Sequence, residues 1–243
     1  PGPAAPAFQP GERVTVVPMT TMRKKIAEHM VQSKRTSAHV TTVFHVDMHK
    51  TMRLRDKVRG AFEERNGVKL TVTPLVVRAA VEALKAVPVI NASIEGDNIV
   101  YKKDINIGVA VALDWGLIVP VIKNADDMSL SGIAKTVTDL AERARSKRLQ
   151  PDEVTGGTFT VTNPGLYGAL FGTPIISQPQ VAIMGVGSLE KRAVVVDDAI
   201  AIHKTMHITL SFDHRLIDGA VADQFLSHVK ETLEDARFPE LAG

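Results

Sequence analysis

The chain has 243 residues, 44% hydrophobic and 23% charged, with a formal net charge of +2 and no cysteine. This is long enough for a sizeable core, and the balance is that of an ordinary globular protein. The near-neutral charge offers no field to hold nucleic acid or an anionic membrane, the missing cysteines exclude disulfides and a thiolate nucleophile, and no apolar run approaches the roughly 18 residues of a membrane span.

Residues 1–12 place Pro1, Pro3, Pro6 and Pro10 among Ala and Gly, which reads as a semi-rigid extended tether. A single domain is expected over 13–243. The chain starts without Met and carries no signal peptide, so it reads as cut from a longer protein with modules upstream.

From Thr20 to about Lys34, Met22, Ile26 and Met30 form one apolar stripe of a helix. Leu54, Val58 and Phe62 mark a second. Thr73 and Pro74 supply an N-cap and first-turn proline for a third, which runs to about Ala86 and is apolar nearly all round, hence buried. Ala92–Ile94 and Ile99–Tyr101 flank Glu95-Gly96-Asp97-Asn98 as a hairpin, and Ile105–Leu113 and Leu117–Ile122 flank Asp114-Trp115-Gly116 as another. Ser129 caps a helix to about Lys147. Arg143, Arg145, Lys147 and Arg148 crowd its end, where cations meet the helix dipole favourably. Thr158–Thr162, Val181–Val186 and Met206–Phe212 read as strands, and Ala220–Leu233 as the last helix. No regular alternation of strand and crossover helix is present. The class expected is therefore α/β with a mixed or largely antiparallel sheet and flanking helices, not a doubly wound nucleotide fold.

Two segments carry chemistry. In Ser211–Gly219 a strand alternates cleanly and His214 falls just past its end, with Asp218 four residues on, before the last helix. A strand-to-helix junction holds a reactive group on rigid elements while leaving access, and imidazole has the proton affinity for general-base work at neutral pH. In Gly156–Gly165 a strand ends at Thr162, whose hydroxyl can donate to a developing oxyanion; Asn163 beside it reads as a turn residue before Pro164. By residue pattern alone, His214 reads first as a surface or capping histidine and Thr162 as an ordinary strand-end residue. His29, His39, His45, His49, His203, His207 and His228 form no metal-ligand set. His45 and His49 are four apart, but the strand around Val43–Val46 separates such positions by about 13 Å.

The segment Asp213–Gly219, Asp-His-Arg-Leu-Ile-Asp-Gly, resembles the active-site signature of the dihydrolipoamide acyltransferases, the cores of 2-oxo acid dehydrogenase complexes. The resemblance runs through about residues 14–236. It takes in Val17-Pro18-Met19 with Arg23–Met30, Pro88 through Asn91-Ala92-Ser93, the pair Asn106–Val111 and Gly116–Val121, Gly156–Thr160, Thr173–Ile176 and Pro179-Gln180.

The resemblance implies a chloramphenicol acetyltransferase-like fold assembled as a homotrimer and, beyond that, a cubic or dodecahedral core. It implies that His214 deprotonates coenzyme A, that the Thr162 hydroxyl stabilises the tetrahedral oxyanion, and that Asp218 holds the active-site loop, against Arg23 by analogy. His214 and Thr162 would come from neighbouring chains. The lipoyl group would ride on a separate upstream domain, and no metal is required. Partners would be a 2-oxo acid decarboxylase and dihydrolipoamide dehydrogenase of the tricarboxylic acid cycle, in bacterial cytoplasm or the mitochondrial matrix, with no nucleic acid or membrane involved. The coenzyme A contacts are not readable. Thr162-Asn163 and Ala61–Gly67 look somewhat like the succinyl enzymes, while Asn106–Val121 looks equally like the others, so succinyl is slightly favoured over acetyl and branched-chain acyl groups. A catalytically silent scaffold of the same fold and a stand-alone acetyltransferase of the chloramphenicol type are the rivals. Intact His214, Asp218 and Thr162 argue against the first, and the tether against the second. Family cores are locked by an apolar C-terminal tail, whereas here only Phe238 and Leu241 offer anchors.

Overall fold

The computed structural model describes residues 8, 11–114 and 116–241. Trp115 lies outside the described residues, as does most of the 1–12 tether. The helices are α1 (Thr21–Thr36), α2 (His49–Asn66), α3 (Val72–Ala86), α4 (Leu130–Arg145) and α5 (Gly219–Glu234). Among the described residues a mixed seven-stranded sheet is built from β1 (His39–Asp47), β4 (Ile107–Val109), β7 (Val121–Ile122), β8 (Phe159–Thr162), β9 (Ala182–Val186), β10 (Glu190–Val196) and β11 (Ala199–Asp213). Two small hairpins stand beside it, β2 (Ala92–Glu95) with β3 (Asn98–Tyr101), and β5 (Val111–Leu113) with β6 (Gly116–Ile118). No helix among the described residues is long and apolar enough to cross a membrane.

The sheet order is β1-β11-β9-β8-β4-β7, with β10 paired to the N-terminal part of β11. β8 runs parallel to β4 and β9, and the other pairings are antiparallel. Period-two alternation divides β11 into two faces. Met206, Ile208, Leu210 and Phe212 enter a core shared with Phe159, Val161 and the buried faces of α3 and α5, where the rings of Phe159 and Phe225 lie 5.4 Å apart. His207, Thr209 and Ser211 take the other face. Their cross-strand partners there are His45, Val43 and Thr41, and Gly185 carries the same face across to Thr162.

The α/β class with a mixed sheet stands, and α3 is as buried as its composition requires: nine of its residues, from Pro74 to Leu84, are enclosed. Four local expectations need correction. First, α3 starts at Val72 after Thr71, two residues ahead of the Thr73-Pro74 signal, and Thr71 makes no capping bond with its side chain. Second, the central hairpin divides into β4–β7 and β5–β6, because Val109 N donates to Pro120 O while Ala110 N turns away to Val161 O. Pro120 has no N–H to continue the ladder. Third, β11 begins at Ala199 and pairs with a whole further strand, β10, through a tight turn whose Asp197 and Asp198 both have positive φ, 49° and 60°. Asp tolerates that conformation, so the Asp-Asp pair between β-branched runs was the available signal. Fourth, the α1 stripe is not core: Ser33 is the buried residue of that helix, and Met22 is 51% exposed. Phe238 and Leu241 are buried in the chain's own core, so these anchors are already occupied.

Candidate active site

β11 ends at Asp213, and the next three residues turn. The turn is clamped from both sides. His214 N donates to Ala38 O at 2.9 Å, and Leu216 N and Ile217 N both donate to Asp213 O at 3.0 Å. The buried Asp213 carboxylate accepts from Ala38 N (3.2 Å), Arg215 N (3.1 Å), Arg215 Nε (3.0 Å) and Arg215 Nη2 (2.6 Å). Burial alone would push the Asp213 pKa up. Hydrogen bonds from Arg215 and Ser37, with the Arg215 charge, outweigh it and hold the group below the usual carboxylate range. Sequence reasoning assigned no task to Asp213 or Arg215, although both flank His214. Their pairing fixes the backbone while the His214 side chain stays exposed, its ring 5.9 Å from Phe212.

Asp218 is the N-cap of α5, its carboxylate accepting from Val221 N at 2.9 Å. It orders the descent from the His214 turn into the helix by satisfying a first-turn N–H that has no helical partner. No hydrogen bond or ion pair joins Asp218 to Arg23 among the described residues.

Thr162 closes β8, half-buried, in parallel register with Gly185. Its hydroxyl makes no hydrogen bond among the described residues. The following 3-10 turn, Pro164–Tyr167, is pressed against the end of β9. A Cβ on Gly165 would lie 2.1 Å from Gly187 C, and one on Gly187 would lie 1.9 Å from Leu170 O. Only glycine allows that approach, and Ser188 N donating to Ala169 O at 2.8 Å secures it.

The two candidate groups sit at opposite ends of the sheet. Thr162 is level with Gly185, which is level with Thr209, while Asp213 is four residues further along β11. With about 4.8 Å between strands and about 3.4 Å per residue, Thr162 and Asp213 are about 17 Å apart, and His214 lies beyond. One chain does not bring them together. A cleft of ≈ 680 Å³ opens at the His214 end, lined by His29, Lys103, Gly157, Thr160 and Gln180 among others. The segment Gln178–Gln180 is shared between this cleft and the depression beside Asp213 and Arg215.

Of the remaining histidines, His203 Nδ1 bonds Asp47 Oδ2 at 2.5 Å and stacks on His49 at 4.0 Å. His45 tilts on His207 at 5.2 Å. His49 opens α2 rather than extending β1, and no group of three or more metal-ligating side chains is assembled among the described residues.

The model of the 2-oxoacid dehydrogenases acyltransferase catalytic domain matches residues 11–240. The succinyltransferase component of the Rickettsia bellii 2-oxoglutarate dehydrogenase complex is 46% identical over 223 residues, covering 92% of this chain and 56% of that protein. The solved Azotobacter vinelandii dihydrolipoamide acetyltransferase superposes with a TM-score of 0.91 at 36% identity, covering 98% of each chain. Work on that enzyme concerned the roles of a serine, a histidine and an asparagine in its catalytic mechanism. The histidine follows the serine by 52 residues and precedes the asparagine by four, the same intervals that separate Thr162, His214 and Asp218. Chloramphenicol acetyltransferase shares the fold, with a TM-score of 0.55 at 14% identity over 85% of this chain and 94% of that one. The chain therefore belongs to the family of 2-oxoacid dehydrogenase acyltransferases and comprises the catalytic domain.

Proposed function

We propose that this domain transfers an acyl group, succinyl in preference to acetyl, between a dihydrolipoyl thiol and coenzyme A, with His214 as general base and Thr162 as oxyanion donor. The observation that carries the reading is the coincidence of intervals: threonine, histidine and aspartate stand where the Azotobacter enzyme has its studied serine, histidine and asparagine. The succinyl preference rests on relatives 43–46% identical that are succinyltransferase components of 2-oxoglutarate dehydrogenase complexes. The chain spans about half the length of those relatives, 56% in Rickettsia bellii and 50% in Arabidopsis thaliana. The lipoyl group is accordingly assigned to a domain outside this chain.

In the proposed reaction His214 takes the proton of the coenzyme A thiol, and the thiolate attacks the thioester carbonyl of the acyl-dihydrolipoyl arm. The tetrahedral oxyanion accepts a hydrogen bond from the Thr162 hydroxyl, which has no competing partner among the described residues. Collapse breaks the bond to the dihydrolipoyl sulfur, which recovers the proton from the imidazolium. Both thiols have similar basicity, so one base serves both directions. Asp213, Arg215 and Asp218 hold the turn and take no part in the proton transfer. Because His214 and Thr162 are held far apart in one chain, each site combines His214 of one copy with Thr162 of another, and the assembly proposed is a homotrimer within a larger core.

The test is acyl transfer to free dihydrolipoamide from acetyl-, succinyl- and isobutyryl-coenzyme A, for wild type and His214→Ala. Succinyl transfer that dominates, and that falls about a thousandfold in the variant, is the expected result. A folded wild type that transfers none of the three sinks the proposal.

A further inference from the structure

One wall of the cleft at the His214 end is built from a segment that is neither helix nor strand. Residues 171–177 have no regular structure, and Ser177–Gln180 line the cleft. Such a segment has no ladder of its own, so its backbone groups must find partners elsewhere.

Ile176 is the anchor. Its side chain is fully enclosed, and both of its backbone groups are bonded. Ile176 N donates to His39 Nε2 at 3.1 Å, and Ile176 O accepts from Ser33 Oγ at 2.5 Å. Two residues on, Gln178 Nε2 donates to Ser37 Oγ at 2.7 Å. Gln180 joins the wall to β8: its Oε1 accepts from Thr160 Oγ1 at 2.7 Å, and its Nε2 donates to Gly157 O at 3.0 Å.

The His39 ring is held on its other side as well, with Nδ1 3.1 Å from Ser37 O. An amide nitrogen only donates and a carbonyl oxygen only accepts. The two contacts therefore require one state of the ring: neutral, with the proton on Nδ1 and the lone pair on Nε2. His39 is a bridge of fixed polarity from Ser37 O to Ile176 N. Ala38, between Ser37 and His39, is the residue that clamps the His214 turn. His214 N donates to Ala38 O at 2.9 Å, and Ala38 N donates to the Asp213 carboxylate at 3.2 Å. His39 itself is level with Asp213 in the β1–β11 register. The start of β1 thus holds the His214 turn through its backbone and the cleft wall through one ring.

We propose that His39 is a positioning residue for the acyl transfer: by accepting from Ile176 N it sets the Ser177–Gln180 wall at a fixed distance from the His214 turn, so that a thiol held in the cleft meets the imidazole aligned for proton transfer. The inference rests on the transferase reading above and deepens it. His39 touches no reacting atom. Its contribution is alignment, and a misplacement of about 1 Å costs up to about a hundredfold in rate. The Nε2 acceptor is the half of the bridge that matters for the wall; Nδ1 orients the ring.

The experiment uses the assembled protein with His39→Gln, His39→Asn and His39→Leu. A glutamine amide oxygen reaches the place of Nε2 and accepts from Ile176 N. An asparagine amide reaches only the place of Nδ1, and leucine bonds neither partner. Transfer from succinyl-coenzyme A to free dihydrolipoamide is read as kcat and KM, hydrogen exchange of the 173–180 segment by mass spectrometry, and folding by Tm. In His39→Asn and His39→Leu, kcat is expected to fall about tenfold or more with KM for dihydrolipoamide within about twofold, and 173–180 to exchange faster; His39→Gln should stay within about threefold of wild type and exchange like it. Equal losses in all three variants that track Tm make His39 a packing residue and overturn the assignment. A His39→Asn protein with the kcat of wild type overturns it too, whatever its exchange. A wild type that transfers no acyl group from succinyl-, acetyl- or isobutyryl-coenzyme A overturns the transferase reading and with it the catalytic part of this inference, while the exchange comparison still shows whether His39 holds the wall.

Discussion

Subunit complementation tests the separation of His214 from Thr162 directly. The perturbation is a pair of variants, His214→Ala and Thr162→Ala, prepared separately and then dissociated and reassembled together at equal concentration. The register places Thr162 about 17 Å from Asp213, with His214 farther still. The reach of the two side chains does not close that gap, so neither group can serve a substrate held by the other within one chain. Alone, His214→Ala is expected to lose about a thousandfold in kcat for want of its base, and Thr162→Ala about a hundredfold or more for want of its oxyanion donor. In a closed ring where each site takes His214 from one copy and Thr162 from the next, a site is intact only if the first copy carries Thr162→Ala and the second His214→Ala. Random mixing makes that about one site in four, so the mixture should regain about 25% of wild-type activity. Dihydrolipoamide-dependent thioester formation after reassembly is the assay, with each variant reassembled alone as control. A mixture no more active than the mean of its two components would refute the reasoning, because it would mean that each site is complete within a chain.

Asp218→Ala removes the α5 cap and should lower stability by about 1 kcal/mol, about 3 °C in Tm, while Asp218→Asn, still able to accept from Val221 N, should stay close to wild type in a thermal melt. The Asp213 pKa is lowered in the folded protein; stability from a depressed carboxylate is full above its unfolded value of about 3.9 and is lost as pH falls through the folded value. Asp213→Asn should therefore cost about 2 kcal/mol near neutral pH, a figure kept modest because the Arg215 side chain is 42% exposed, and the deficit should shrink as urea midpoints are taken down toward about pH 2. Gly187→Ala sets a Cβ against Leu170 O and should destabilise by about 3 kcal/mol and depress kcat by displacing the Thr162 turn, whereas Gly60→Ala, with nothing within 4 Å of the new Cβ, should leave the urea midpoint unchanged or slightly raised.

What the sequence determined by itself is what local chemistry determines. Apolar spacing placed the helices, and Ser129 marked the start of α4, because a residue that satisfies a first-turn N–H, as Ser129 does, needs no tertiary partner. Alternation placed β11 and fixed which of its residues face the core. The signature around His214 resembled a family whose membership the comparison with known proteins then established. Tertiary structure decided the rest. No spacing announces that Asp213 clamps its turn through Ala38, 175 positions away, since that bond exists only once β1 lies beside β11. Asp218 proved to be a helix cap. The stripe of α1 had the right period, yet Met22 is exposed and Ile26 and Met30 are only half-buried, because periodicity specifies an apolar side and not what covers it. The distance between His214 and Thr162 follows from strand order and register. Those are properties of paired strands, and pairing between distant segments leaves almost no trace in either segment alone.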